Sequence, residues 1–563
     1  MEDVFLTSIT RRADAVLSDY LAGRPAHHAS DHRVIMHRIK AAVICHLNPA
    51  SRWHGSAKAL ASVTDWVMAI LELQAANGLF DGNGNLESPP DSSFTINDAA
   101  IVYALLQAHQ DDPVLAQLSA SLAVVLRAAA PALERGGLHT PNHRWEMAAA
   151  LCRLQALMPE LDLRQRIDAW LGEGIDIDAD GLYSERSPNY ASHVSNPCLL
   201  AAGDLLGRRD LIELVHRNLH AQIDLADLDG VVETVLSRRQ DQNADFHLGP
   251  FLMQFRRFGI NGCTDCASMA GAASKAPGVD AVGAVAELLA APELGAELPP
   301  SAPIDYPQRR LFAEVSLVRD RRGRAITTVY GGSDVPVTGR LGSGLACNPT
   351  FLRWQWGGVR LHSVRLSRVF FGLGPFRSEG LEIRAQTARL SEHITAAYYQ
   401  PLPVQRRRAD GRYRLEHEGR FASALSFSER DRDIVELATE IVITVRQDAL
   451  ELTAEFAGVA TSYAFELCFR PGGEFGGVEQ LGPESYLLAE GEGSYRVGED
   501  AIVFGPGGGS SPRQPAQYDP GEAYTFLNGT DALTWPRVYI TGRTPGITQI
   551  ILLGQSARDL PVS

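Results

Sequence analysis

Three short stretches gather amide, imidazole, guanidinium and phenol groups where helices begin or where loops cross between them. The first is Thr140-Pro-Asn-His-Arg-Trp145. Thr140 followed by Pro141 reads as an N-cap with proline at the first helical position, which sets Asn142 and His143 in the first turn of a helix running to Leu157. A helix start offers free N–H groups and the positive end of the dipole. With an Asn amide and an imidazole beside it, such a start makes a receptor for a carboxylate. A cap needs Thr140 alone, so binding is left to explain Asn142 and His143.

The second stretch, Asp176 to Pro197, packs Tyr183, Glu185, Arg186, Asn189, Tyr190, His193 and Asn196 into a connection too long and polar for a simple turn. It ends on Asn196-Pro197, which reads as a second cap-plus-proline start. Tyr190 is its candidate proton carrier, provided that nearby cations lower a phenol pKa of about 10. The third stretch, Glu233 to His247, sets Arg238 and Arg239 beside Gln240, Asp241 and Asn243. Two guanidinium forks suit a carboxylate, and His247 adds a possible base.

Other chemistries fit less well. There is no G-x-S-x-G elbow, no Walker loop and no H-E-x-x-H pair. Glu146, Glu185, Asp241 and Asp245 keep open a glycoside hydrolase built on paired carboxylates. Asp176-x-Asp178-x-Asp180-Gly181 mimics the start of a calcium loop, but Ser187 stands where the bidentate Glu belongs, so the run reads as a turn. Calcium is the one cofactor the sequence suggests. Of the seven scattered cysteines, only Cys263-Thr-Asp-Cys266 has a suggestive spacing, and without a second pair it reads as two ordinary cysteines in a helical hairpin. The expected metal set is none.

The elements that must position these groups change character once. To about Leu294 apolar residues recur at helical spacing, as in Trp66, Val67, Ile70, Leu71 and Leu73, or in Ala100 to Ala108 behind the cap candidate Asp98. Short polar loops join the helices into hairpins. Beyond the proline-dense linker 298–308 come runs rich in Val, Ile, Thr, Tyr and Phe, including Arg324 to Tyr330, Phe351 to Phe371, Leu381 to Tyr399, Arg412 to Phe427, Ile434 to Phe456 and Val538 to Leu553. The expected domains are a helical 1–297 and an antiparallel β-sandwich 309–563.

With 563 residues, 45% apolar and 21% charged, the chain has ordinary globular composition. A net charge of -15 disfavours nucleic acid and anionic membranes as partners. No apolar run reaches the length of a membrane-spanning helix. The N-terminus has no basic region followed by an apolar core, which points to the cytoplasm.

A helical half with an Asn-bearing helix start, a Tyr-rich Asp-Gly loop and an Arg cluster, followed by a large β-sandwich, resembles the (α/α)-toroid polysaccharide lyases. That group includes heparinase II/III-like, chondroitin AC, hyaluronate and xanthan lyases. Within it, Thr-Pro-Asn-His-Arg-Trp, Tyr-Ser-Glu-Arg-Ser, Ser-Arg-Arg-Gln-Asp and Tyr398-Tyr-Gln-Pro-Leu402 are most similar to L-rhamnose-α-1,4-D-glucuronate lyases, which remove rhamnose caps from arabinogalactan glycans. The resemblance implies an incomplete toroid, an anionic oligo- or polysaccharide substrate, and β-elimination at a uronic acid with no cofactor required. It also implies that Asn142 with His143 or His247 neutralises the carboxylate, that Arg238 or Arg239 supports the charge, and that Tyr190 serves as base and then acid. Sugar contacts would fall to Trp145, Tyr183, Glu185, Arg186, Asn189 and His193, with Tyr398, Tyr399 and Gln400 from the sandwich. The family places a His shortly before the Tyr, where this chain has Glu185 and Arg186, so the identity of the working His stays open.

Overall fold

The computed structural model describes residues 2–23, 31–82, 84–227, 229–300, 303–339, 345–417, 424–508 and 535–556. They form two compact units: Met1–Thr234 with Ala244–Tyr306, and Val235–Asn243 with Pro307–Ser563. The change of unit at 306/307 falls within the proline-dense linker. Residues 235–243, expected in the helical domain, belong with the second unit.

The first unit is helical. Its early helices are α1 (Glu2–Leu21), α2 (His32–Leu47), α3 (Ala57–Ala61), α4 (Val63–Leu73), α5 (Pro89–Leu106) and α6 (Pro113–Arg135). After them come α7 (Pro141–Leu157), α8 (Arg164–Gly172), α9 (Pro188–Tyr190), α10 (Asn196–Leu206), α11 (Arg209–Leu225), α12 (Leu252–Ile260), α13 (Thr264–Ala273) and α14 (Ala281–Ala290). Helices α2, α5, α7 and α10 pack one on the next, with α4, α6 and α8 linking them, and α14 returns to α1 and α2. Helices skipped in sequence are thus neighbours in space, which gives two layers.

Two sequence expectations about these helices change. The α5 helix starts nine residues before Asp98, because Ser88 accepts a hydrogen bond from the Asp91 N–H and prolines follow it. Asp98 instead takes the Lys40 ammonium at 2.7 Å. Contrary to the sequence reading, α6 has the length and apolar composition of a membrane-spanning helix. Its Leu115, Leu122, Val125, Leu126 and Leu133 are buried, and it packs on α4, α5 and α7.

The second unit holds an eight-stranded and a nine-stranded sheet. The first runs from Glu382–Arg384 and Thr387–Tyr399 through Arg432–Val445 to Glu474–Gly476 at the far edge. The second has Ser462–Phe469 and Val359–Arg368 near its middle and Arg309–Phe312 at one edge. Among the described residues every strand pairing is antiparallel except that of Ser485–Leu487 with Arg537–Arg543. Phe351, Trp354 and Leu366 of one sheet meet Leu390, Ile441 and Leu452 of the other in a single core, the alternation expected of a sandwich. Two buried ion pairs, Arg365 with Glu466 and Arg368 with Glu392, cross strands beside that core. The strand expected over Arg412 to Phe427 is reduced, among described residues, to one bridge between Glu416 and Leu425, and its centre lies outside those residues.

Candidate functional site

Helix α7 begins at Pro141 as the sequence reading has it, yet the Thr140 hydroxyl makes no capping bond to a backbone N–H. It lies 3.4 Å from Asn142 Oδ1. Asn142, 1% exposed, turns its amide nitrogen to Glu185 Oε2 at 2.6 Å across 43 residues of sequence. That bond joins the first two candidate stretches. His143 stands edge-on to His139 and Phe94, with ring centroids at 4.9 and 6.2 Å. Around Phe94, the Arg33 guanidinium lies 3.9 Å from the ring centroid and pairs with Asp91. Burial pushes the Asp91 carboxyl up, but hydrogen bonds from Ser88 and Asn85, with the Arg33 charge, outweigh it and hold the pKa below the usual range.

The Asp-rich run is a turn. Asp178 Oδ1 accepts from the Leu182 N–H at 2.9 Å, and Ile177 bridges to Tyr183. Gly181 takes φ +88°, and a Cβ there would sit 2.9 Å from the Arg217 carbonyl oxygen, so no other residue fits without strain. Asp176 accepts from Trp145 Nε1 at 2.9 Å and from the Ser184 hydroxyl. Trp145 is 1% exposed under the Arg144 guanidinium, 4.2 Å from its ring centroid. The Tyr183 ring is buried as well, and its hydroxyl donates to Asn196 Oδ1 at 2.7 Å. Burial, with Asp176 nearby, pushes the Tyr183 phenol well above its ordinary pKa. Trp145 and Tyr183 are therefore supports beneath the loop rather than open sugar platforms.

The second helix start lies nine residues before Asn196. Ser187 accepts from the Tyr190 N–H at 3.1 Å, Pro188 follows it, and the helical path continues to Leu206. Pro197 falls inside that path. It has no N–H and its ring crowds the preceding turn, and residues 191–195 there open into a π turn in which the Asn196 N–H reaches back five residues to the Ala191 carbonyl. Asn196 is no cap. Its amide nitrogen donates to Asn218 at 3.1 Å and Gln254 at 2.9 Å, making a buried polar hub. Tyr190 and Asn189 are half-buried in the first turn of this stretch, three to five residues beyond Glu185 and Arg186. Arg186 itself holds φ 53°, an unfavourable left-handed backbone for a side chain of its size. His193 is exposed on the π turn, and crowding by surrounding protein lowers its pKa, against the pull of Asp280. His247 sits on the short strand Phe246–His247 opposite Val231, in the same helical unit.

The sequence matches no protein-family model and no curated protein. Solved structures do match it. The Streptomyces coelicolor A3 chondroitin AC lyase, determined with chondroitin sulphate, aligns with TM-score 0.55 and 12% identity over 98% of this chain and 79% of that one. A Paenibacillus xanthan lyase aligns with TM-score 0.54 and 9% identity over 98% of this chain and 57% of its own length. The chain has the fold of these two polysaccharide lyases.

The remaining candidates lie in the second unit. Arg238 grips Asp334 with Nη2 at 2.8 Å from one carboxylate oxygen and Nε at 2.7 Å from the other. The Arg239 N–H bonds to the Ser237 hydroxyl at 3.1 Å, and Ser237 in turn donates to Asp241. Gln242 donates to the Leu345 carbonyl at 2.9 Å, which with the Asp334 pair ties 235–243 to this unit. Tyr398 is 63% exposed and edge-on to Phe371, Tyr399 leans on Phe427, and the Gln400 amide donates to Asp433.

Three of the carboxylates a hydrolase could use already hold hydrogen-bond partners: Glu146, Glu185 and Asp241. Glu146 is buried, accepts from Asn97 at 2.8 Å and from the Cys198 thiol at 3.1 Å, and burial raises its pKa. Sequence reading missed the Arg33, Asp91 and Phe94 group beside His143. Arg33 and Asp91 are 58 residues apart, and no local spacing marks the pair.

Proposed function

We propose that the chain is a polysaccharide lyase, with its helical unit an incomplete (α/α) toroid, that cleaves the bond to O4 of a uronic acid. The observation that carries this reading is the Asn142 to Glu185 bond at 2.6 Å. It holds an amide at the start of α7 beside the loop that leads into the helical turn of Tyr190, so a carboxylate receptor and a phenol belong to adjoining helix starts. The full-length likeness to two lyase folds supports it.

The elimination makes three demands. The substrate carboxylate must be neutralised so that the C5 hydrogen becomes acidic, a base must remove that hydrogen, and an acid must protonate O4 as the C4–O4 bond breaks and C4=C5 forms. The Asn142 amide carries a second N–H besides the one given to Glu185, and it lies where the helix dipole favours an anion. His143 or His247 completes the neutralisation. In glucuronate the C5 hydrogen and O4 lie on one face, so Tyr190 takes the proton and then returns one. Glucuronate, and a rhamnose-capped glucuronate in particular, is the substrate we assign.

The test is a screen of glucuronate-containing polymers and rhamnose-capped arabinogalactan for the ultraviolet absorbance of a C4=C5 unsaturated uronate. Tyr190→Phe should abolish it. Cleavage products without the chromophore would refute the lyase and leave a hydrolase.

A further inference from the structure

We propose that His216, His220, Cys263 and Cys266 form a structural zinc site that joins α11 to the start of α13. Their four ligand atoms lie within 4.8 Å of one another. His220 Nε2 is 3.2 Å from His216 Nε2 and 3.7 Å from Cys263 Sγ. A tetrahedral ion bonded to nitrogen at about 2.0–2.1 Å and to sulfur at about 2.3 Å sets its ligand atoms about 3.3–3.8 Å apart. These separations need only small side-chain shifts to meet that geometry. A hydrogen bond between the two imidazoles accounts for the first contact but not for two thiols in the same sphere.

Local structure builds the donor set from both sides. His216 and His220 are four residues apart on α11, hence on one face. Phe258 stacks on the His216 ring at 4.5 Å and restrains it. Cys263 is the N-cap residue of α13, and its sulfur accepts from the Cys266 N–H at 3.5 Å. Both sulfurs therefore lie at the N-terminal end of a ten-residue helix. A carboxylate stands near the outer shell, short of hydrogen-bond distance. Asp265 Oδ2 is 3.9 Å from His220 Nδ1, the nitrogen left over when Nε2 binds a metal, as in carboxylate–histidine–zinc arrangements.

Two imidazoles and two thiolates in a tetrahedron select zinc among the common divalent ions. All four positions are filled by protein, so the site is closed and structural rather than catalytic. Binding replaces the two S–H bonds with zinc–sulfur bonds and releases two protons to solvent.

The experiment uses the full chain purified from zinc-supplemented medium. Elemental analysis should find about one zinc ion per chain, and cobalt exchanged for it should show thiolate charge-transfer and intense visible bands of a tetrahedral site. Removing zinc with a chelator should expose two further thiols to a thiol reagent and lower the Tm by several degrees, readouts that need no variant. Cys263→Ser with Cys266→Ser, and separately His216→Asn, should reduce bound zinc at least about tenfold. Wild-type protein that holds no zinc after equilibration, zinc that survives the cysteine replacements, or a Cys263–Cys266 disulfide in the native chain would overturn the proposal.

Discussion

The amide nitrogen of Asn142 and Oε2 of Glu185 stand 2.6 Å apart, bridging 43 residues between a helix start and a turn. The pair separates two chemistries for Glu185. If the carboxylate only orients the amide, Glu185→Gln keeps an acceptor oxygen and should lose less than about tenfold in kcat/KM. Asn142→Ala removes a donor to the developing charge and should lose about 10²–10³-fold, the range seen when one such donor is deleted. Equal losses in the two variants, measured by release of unsaturated uronate, would make Glu185 a reacting group.

Tyr183 and Tyr190 should respond oppositely to loss of their hydroxyls. Tyr183→Phe deprives Asn196 of one donor and should destabilise the helical unit by about 1 kcal/mol, with kcat little changed. Tyr190→Phe should leave the Tm near wild type and remove turnover. Thermal melts paired with the absorbance assay distinguish the two, and a Tyr183→Phe enzyme that is stable but inactive would return Tyr183 to the substrate.

His32 gives the fold an acid-sensitive point. It is buried, stacked on Phe80 at 4.7 Å and bonded through Nδ1 to Thr95 at 2.6 Å. Burial, helped by the Arg33 charge, lowers its pKa to about 4. An unfolded His titrates near 6.5, so the unfolded chain binds the proton first as pH falls. The stabilisation of neutral His32 is complete above about pH 6.5 and is lost between about 6.5 and 4, a change on the order of 3 kcal/mol. His32→Gln should flatten the Tm profile in that window, and an unchanged slope would contradict this account. Buried His362, whose pKa is also held low by burial and by Arg353, should leave a residual slope.

In the second unit, Arg365 Nε bonds to Glu466 Oε1 at 3.0 Å with both side chains buried, and Tyr539 donates to the other oxygen at 3.2 Å. Replacing one partner strands the other charge, so Arg365→Leu should destabilise this unit by about 3–5 kcal/mol. The double change Arg365→Leu with Glu466→Leu should recover much of that loss in a denaturant melt. If the single and double variants melt alike, the buried charge is not what destabilises the fold.

Periodicity and punctuation in the chain were sufficient for much of the architecture. Apolar residues at helical spacing through Leu294, the prolines after Glu297 and the β-branched runs beyond them each report a local preference, and the helices and sheets follow. Thr140-Pro141 marked a true helix start for the same reason: proline fixes φ wherever it stands. Asn196-Pro197 carried the same signal and misled, because Ser187-Pro188 had already begun the helix and a π turn absorbed the later proline. Local rules rank candidate starts but cannot say which the packing selects.

Partnership across the chain was beyond the sequence. Nothing near Asn142 names Glu185, nothing near Arg238 names Asp334, and the burial of Trp145 and Tyr183 follows only from what packs over them. The Cys263-x-x-Cys266 spacing was visible and the His216-x-x-x-His220 spacing was equally so, but each is weak alone. Only folding sets α11 against α13 and brings the four ligand atoms within 4.8 Å, since a side-chain constellation is a property of packed surfaces and not of spacing along one strand of chain.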